Sequence, residues 1–104
     1  MRHGEIRWYV FRPPDKKRPV LILTRTSALG FLNEVTVAPL TSTVRNIPTE
    51  VIVGPDDGVP AVSAINLDHV QTVPKAKIGK LIAALPERRR YEVRRALLFA
   101  VGFE

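Results

Sequence analysis

Residues 18–23 read Arg18, Pro19, Val20, Leu21, Ile22 and Leu23, a charged residue and a proline leading into four large apolar side chains without interruption. A short continuous apolar run bounded by charged residues reads as a buried central strand. The rest of the chain is arranged around it. Upstream, residues 5–11 predict a first strand of β-forming residues, with Ile6, Trp8 and Val10 alternating against Arg7, Tyr9 and Phe11. That alternation makes Trp8 a core residue rather than a stacking surface. Pro13 and Pro14 end the strand, and Asp15, Lys16 and Lys17 make a short charged connection to Arg18.

Downstream, residues 26–33 read as a loop that can hold one helical turn capped by Ser27, weakened by Gly30. Residues 34–40 predict a strand in which Pro39 marks the end of an edge or a bulge. A polar, donor-rich loop follows from Thr41 to Asn46, then a short strand over 50–53 and a Gly-Pro-Asp-Asp-Gly turn over 54–58. Residues 62–73 predict one long β segment. In it Asn66 and Asp68 face one side and Leu67, His69 and Gln71 the other, unless a bulge intervenes. Ile78, Leu81 and Ile82 at helical spacing predict a short helix within 75–85. Pro86 opens a last helix running to about Val101, with Gly102 as its stop and Val93, Leu97 and Ala100 or Val101 as its apolar stripe. Five or six strands and a terminal helix make an α+β domain, a small curled antiparallel sheet or barrel, spanning 1–104 as one unit.

Composition agrees with this size and class. The chain has 104 residues, 45% of them hydrophobic and 25% charged, which suits one soluble globular core and leaves no room for a large cofactor-binding architecture. The absence of cysteine excludes disulfides, thiolate zinc sites, iron–sulfur clusters and cysteine nucleophiles. No apolar run approaches the roughly 18 residues that a membrane span needs, and the first residues hold no apolar signal core, so the expected location is the cytoplasm. The net charge of +6 is segregated: residues 1–25 hold seven basic and two acidic side chains, 26–70 one and five, and 71–104 eight and three. Such a distribution suits a polyanion such as nucleic acid, and equally a solvated basic surface.

The chemistry is narrowed mainly by elimination. His3 and His69 are the only histidines and have no metal-ligand spacing, and no glycine-rich loop joins a strand to a helix. Ser27, Ser42 and Ser63 lie in no nucleophile elbow. What remains is a set of polar groups at strand ends: Arg18, then Thr41, Ser42 and Thr43, then Asn66, Asp68, His69 and Gln71. An arginine entering an apolar run needs a partner, and Asp68 can serve as one.

Five fragments in order carry a resemblance: Arg2, Gly4, Glu5, Ile6 and Trp8; Arg18, Pro19, Val20 and Leu21; Val37, Ala38, Pro39, Leu40, Thr41 and Ser42; Pro48, Thr49, Glu50 and Val51; and Asn66, Leu67 and Asp68 to Thr72 and Val73. Together they resemble the MazF/PemK family of toxin endoribonucleases. The resemblance implies the CcdB/PemK-like fold, an SH3-like barrel with short helices, and usually a symmetric homodimer. It also implies metal-independent, cofactor-free cleavage of single-stranded RNA at short motifs, by attack of a 2′-hydroxyl that leaves a 2′,3′-cyclic phosphate and a 5′-hydroxyl. A small MazE-like antitoxin would be its inhibitor.

Carried over residue by residue, Arg18 matches the family's Arg-Pro arginine and would stabilise the phosphate, because a guanidinium forks two oxygens but holds its own proton tightly. Thr41 matches the strand-end threonine, a hydroxyl donor to the same phosphate. Asp68 aligns with an acidic position that some relatives use as general base, and it could equally orient Arg18. Lys16, Lys17, Ser42, Thr43, Arg45, Asn66, His69 and Gln71 complete the substrate contacts, with His69 also suited by residue type to carry a proton.

Two departures stand out. The first loop is shortened to residues 12–17, leaving Asp15 as its sole acidic candidate, and Asn66 replaces a second catalytic arginine. They keep open a catalytically decayed RNA-binding barrel. The other alternative is a noncatalytic CcdB-like gyrase poison. It requires a C-terminal tryptophan, whereas residues 101–104 have none and Trp8 is the only one in the chain.

Overall fold

A computed structural model describes residues 1–13 and 16–103. Asp15, the acidic candidate of the first loop, lies outside the described residues. The elements in chain order are β1 (Glu5–Val10), β2 (Lys17–Ile22), α1 (Thr26–Leu29), β3 (Glu34–Thr41), β4 (Glu50–Val53), β5 (Ser63–Asn66), β6 (Gln71–Pro74), β7 (Ile78–Ala84) and α2 (Glu87–Ala100). The strands form a seven-stranded antiparallel sheet in the order β4-β5-β3-β2-β1-β7, with β6 also paired to β3.

β2 is the central strand that its apolar run predicts, between β1 and β3 with Leu21 opposite both Ile6 and Ala38. The run is continuous because both of its faces are covered. Leu21 joins Ile6, Leu40, Val53, Ile65, Leu67 and the α2 residues Val93 and Ala96 in one core. Val20 and Ile22, pointing the other way, join Tyr9, Leu29, Val35, Val37 and Val73 in a second. The stripe on α2 is Val93, Ala96, Leu97 and Ala100, whereas Val101 is exposed.

β3 is held by three neighbours. Its first half pairs with β6 from Glu34 to Val37, and its end pairs with β5 at Leu40 and Thr41, while β2 lies along the other side. Pro39, expected at an edge or bulge, stands instead in the middle of the sheet. It sits at the changeover from β6 to β5, so its missing N–H interrupts neither ladder.

The structure corrects three further expectations. Residues 75–85 are not a helix: Lys75–Lys77 make one 3-10 turn and Ile78–Ala84 form β7 on the open edge of β1. Ile78 and Ile82, four apart, share a face in a helix or a strand, Leu81 joins them only at the helical period and is exposed, and the edge of β1 decides in favour of the strand. Gly79 suits it, since a Cβ there would come within 3.2 Å of the Trp8 carbonyl oxygen. The long segment over 62–73 is likewise broken, by a 3-10 turn at Leu67–His69 that lets the chain leave β4 and return along β3 as β6. Trp8, expected in the core, is half-buried and covered by Lys17, whose Nζ lies 4.9 Å from the ring centroid.

α2 is tied to the sheet's far end by one buried carboxylate. Asp57 accepts from the Gly54 N–H and from Arg89 Nε, both at 3.1 Å, and Arg88 stands 3.6 Å away. The hydrogen bond to Asp57 raises the Arg89 pKa although burial opposes it, so this guanidinium stays charged. Asp57→Ala is expected to cost about 2 kcal/mol, less than a sealed pair because Arg89 keeps access to water. Thermal melting would register this as a fall in Tm of roughly 10 °C.

Candidate active site

Two strand ends and one turn meet in one groove. β2 contributes Arg18 near its start, and β3 ends at Thr41. The 3-10 turn after β5 brings Asn66, His69 and Gln71 round to the same place. Arg18, Thr41, Arg45, Asn66, His69 and Gln71 line one open groove of about 370 Å³, floored by Phe11, Pro39 and Leu40. Arg18 and Thr41 are each half-buried.

A second groove of about 400 Å³ shares Arg18 and Leu40 with the first and adds Lys16, Lys17, Ser42 and Ser63. The two form one cationic trough divided by Arg18. Its charge suits a phosphodiester chain, the guanidinium able to contact phosphate oxygens and the lysines to attract the flanking backbone.

The Thr41 hydroxyl has a defined orientation. Its oxygen accepts the Thr43 N–H at 3.1 Å, which leaves the hydroxyl proton for an acceptor in the groove. Thr43 itself lines neither groove and serves through this backbone contact. Asn66 is buried, and its Oδ1 accepts the Asp68 N–H at 3.0 Å. Gln71 Nε2 donates to the His69 carbonyl at 3.3 Å. These bonds stiffen the turn that presents His69.

Asp68 is placed differently from the other predicted site residues. It is not among the groove-lining residues, and its Oδ2 accepts from the buried Thr49 hydroxyl at 2.6 Å. The carboxylate thereby ties the turn to the start of β4. Among the described residues, no three His, Asp or Glu side chains are gathered as a metal ion would require.

The largest cavity, about 600 Å³, lies elsewhere, between α2 and the first strands. Leu21, Leu23, Val93 and Leu97 make it apolar, with Arg90 and Arg94 as its cations. It holds one imidazole, His3, and one phenol, Tyr91, but no aliphatic hydroxyl or side-chain amide beside them, whereas the smaller trough gathers Thr41, Asn66, His69 and Gln71 around Arg18 and is the better catalytic candidate.

Residues 2–101 match the family described as PemK-like, MazF-like toxin of type II toxin-antitoxin system. The chain belongs to this family. Among MazF relatives, Endoribonuclease MazF3 of Mycobacterium tuberculosis is 46% identical over 71 residues, covering 68% of this chain and 69% of the relative. The solved structure of Mycobacterium tuberculosis toxin MazF-mt6 superposes with a TM-score of 0.88 at 36% identity, over 96% of this chain and 98% of that one. A mycobacterial endoribonuclease in complex with its cognate antitoxin gives a TM-score of 0.88 at 25% identity, over 100% and 97%. The CcdB/PemK-like fold that the sequence resemblance implied is thus the fold of this chain.

Sequence reasoning passed over Phe11, Ser63, Thr49 and Glu50. Phe11 reads only as one member of an alternating strand, and Ser63 only as a serine outside any nucleophile elbow. Thr49 and Glu50 were quoted for the family resemblance alone. Their positions directly after a donor-rich loop were the available signal.

Proposed function

We propose that the chain is the toxin of a type II toxin–antitoxin system and cleaves single-stranded RNA at short motifs, without metal, by 2′-hydroxyl attack. The observation that carries this reading is the placement of Arg18 and Thr41 in one open groove beside Arg45, Asn66, His69 and Gln71. Its support is membership of a toxin family whose relatives are named endoribonucleases.

The reaction requires three things: loss of the 2′-hydroxyl proton, accommodation of an additional charge on phosphorus, and protonation of the departing 5′-oxygen. Arg18 serves the second by forking two non-bridging oxygens, and Thr41 adds a hydroxyl donor to one of them. His69 stands at the groove to carry a proton. Asp68 acts from behind, holding the turn through Thr49. Lys16, Lys17 and Arg45 attract the backbone on either side, Ser42, Asn66 and Gln71 contact bases and sugar, and Thr43 holds the Thr41 hydroxyl oxygen through its N–H.

The toxin works in the cytoplasm as a single domain, free of cofactor. A MazE-like antitoxin suppresses it, in line with the antitoxin complex of the mycobacterial relative. It pairs with a second copy, for which Phe99, Val101 and Phe103 offer exposed apolar side chains at the end of α2. Among the described residues, no helix is long and apolar enough to cross a membrane.

The test is incubation of purified protein with mixed-sequence single-stranded RNA in excess chelator, followed by mapping of the ends. Discrete cuts bearing 5′-hydroxyl and 2′,3′-cyclic phosphate termini are expected. Binding without cutting, or cutting only after divalent metal is restored, would overturn the reading.

A further inference from the structure

The loop between β3 and β4 carries six exposed side chains in succession, Ser42, Thr43, Val44, Arg45, Asn46 and Ile47. Exposed loops of this kind are usually loose, yet this one is fastened from beneath. Glu50, the first residue of β4, has a side chain with no solvent exposure. Its Oε1 accepts two consecutive backbone N–H groups, from Arg45 at 2.9 Å and Asn46 at 3.1 Å. The Glu50 N–H closes the turn on the Ile47 carbonyl at 2.9 Å. Asn46 takes φ +56°, a left-handed conformation that asparagine tolerates better than most residues and that the Glu50 contact holds in place.

Among the described residues the second carboxylate oxygen has no hydrogen-bond partner. Glu50 Oε2 is buried and stands 3.8 Å from Arg45 NH1, close enough for charge attraction and too far for a hydrogen bond. Burying a carboxylate in this way is costly, and a neutral amide such as glutamine would offer the same two N–H groups an acceptor oxygen without a buried charge. What the charge adds is a place for the Arg45 guanidinium, which remains 58% exposed and lines the groove with Arg18 and Thr41. Opposite Glu50 across the β4–β5 ladder stands Asn66, another groove residue.

We propose that Glu50 is a positioning residue for sequence discrimination, its buried carboxylate fixing the 42–47 backbone and the Arg45 guanidinium so that the loop meets a particular set of bases. The inference rests on the ribonuclease reading above. It separates two roles for cations in the trough. Lys16 and Lys17 draw in any RNA. Arg45, fixed by Glu50, reaches the RNA backbone in full only when the bases fit the loop that carries it. Releasing the loop therefore lowers cleavage at preferred motifs more than at others, and the overall phosphate attraction persists.

The experiment measures kcat/KM on a preferred single-stranded RNA and on its single-base variants, for wild type, Glu50→Gln and Glu50→Ala. Glu50→Ala removes the acceptor for both N–H groups, and the ratio of preferred to variant cleavage is expected to fall at least tenfold, with cleavage of the variants changed less than about threefold. Glu50→Gln keeps one acceptor oxygen and loses the charge facing Arg45, and an intermediate fall of about threefold or more is expected. Rates falling in parallel on all RNAs, or an unchanged ratio in Glu50→Gln, would overturn the proposal, since a purely structural role moves every substrate alike. Should Glu50→Ala not fold, Glu50→Gln carries the comparison. Amide exchange at Arg45 and Asn46 is read beside it, and faster exchange in the variant is expected. Wild-type protein that cuts no RNA would mark failure of the ribonuclease reading itself, whereas cutting with undiminished discrimination in the variants would sink only the role of Glu50.

Discussion

Arg18→Ala is expected to lower the cleavage rate of single-stranded RNA about a thousandfold, roughly 4 kcal/mol of barrier. The side chain lines both grooves, beside Thr41 in the first, and its fork can bind two oxygens of a phosphorane at once. Because Arg18 lines an open trough rather than a sealed core, truncation leaves no closed cavity, and Tm is expected to move only a few degrees. Arg18→Lys restores the charge without the fork and should recover a small part of the rate. Single-turnover kinetics with saturating enzyme, beside circular dichroism of each variant, checks all three expectations. A rate within tenfold of wild type in Arg18→Ala would remove the guanidinium from the chemical step.

Thr41→Val is the second large effect. Valine keeps the branched shape that ends β3 and deletes only the hydroxyl, so the sheet pairing of Thr41 with Ala64 is retained. Loss of one aligned donor to the developing charge is worth about a hundredfold in rate, roughly 3 kcal/mol. The loss should appear in kcat, because the bond to phosphate strengthens as charge accumulates. Deleting the oxygen also removes the acceptor for the Thr43 N–H. Thr41→Ser, which preserves both roles, is therefore the control, and it should retain most of the activity. Equal losses in serine and valine variants would point to strand packing instead of the hydroxyl.

The parts of the fold that were legible from sequence are those where burial leaves a mark on residue type. Val20 to Leu23 could be read as central because both faces of β2 are covered, and Gly102 as a helix stop because it takes φ +84°. β7 was illegible for the opposite reason. Ile78, Leu81 and Ile82 satisfy a helical period, and only the unpaired edge of β1, a long-range feature, selects the strand. The turn at Leu67–His69 was hidden similarly, since nothing local in an alternating stretch announces where the chain must change partner from β4 to β3.

At the site, the residues at strand ends were legible and their connections were not. Arg18 and Thr41 stand near or at strand ends, where a polar side chain is conspicuous, and the sheet brings them together. Asp68 was legible as a carboxylate, but its engagement by Thr49 depends on the turn that the sequence concealed. Glu50 was the least legible. In sequence it is an acidic residue opening a strand, and only folding reveals it as a buried anchor beneath a loop.

The central claim is that the ribose 2′-oxygen is the nucleophile and that Arg18 and Thr41 stabilise the phosphorus centre it attacks. The most direct measurement compares, in chelator, an all-ribose oligonucleotide containing a cleaved motif with the same strand bearing one 2′-deoxyribose immediately 5′ of the scissile phosphate. The prediction is cleavage of the first to a 2′,3′-cyclic phosphate and no detectable cleavage of the second, although both bind with similar affinity. Cutting of the deoxy-substituted strand at the same phosphate would mean that water or a protein group attacks instead, and would contradict the account.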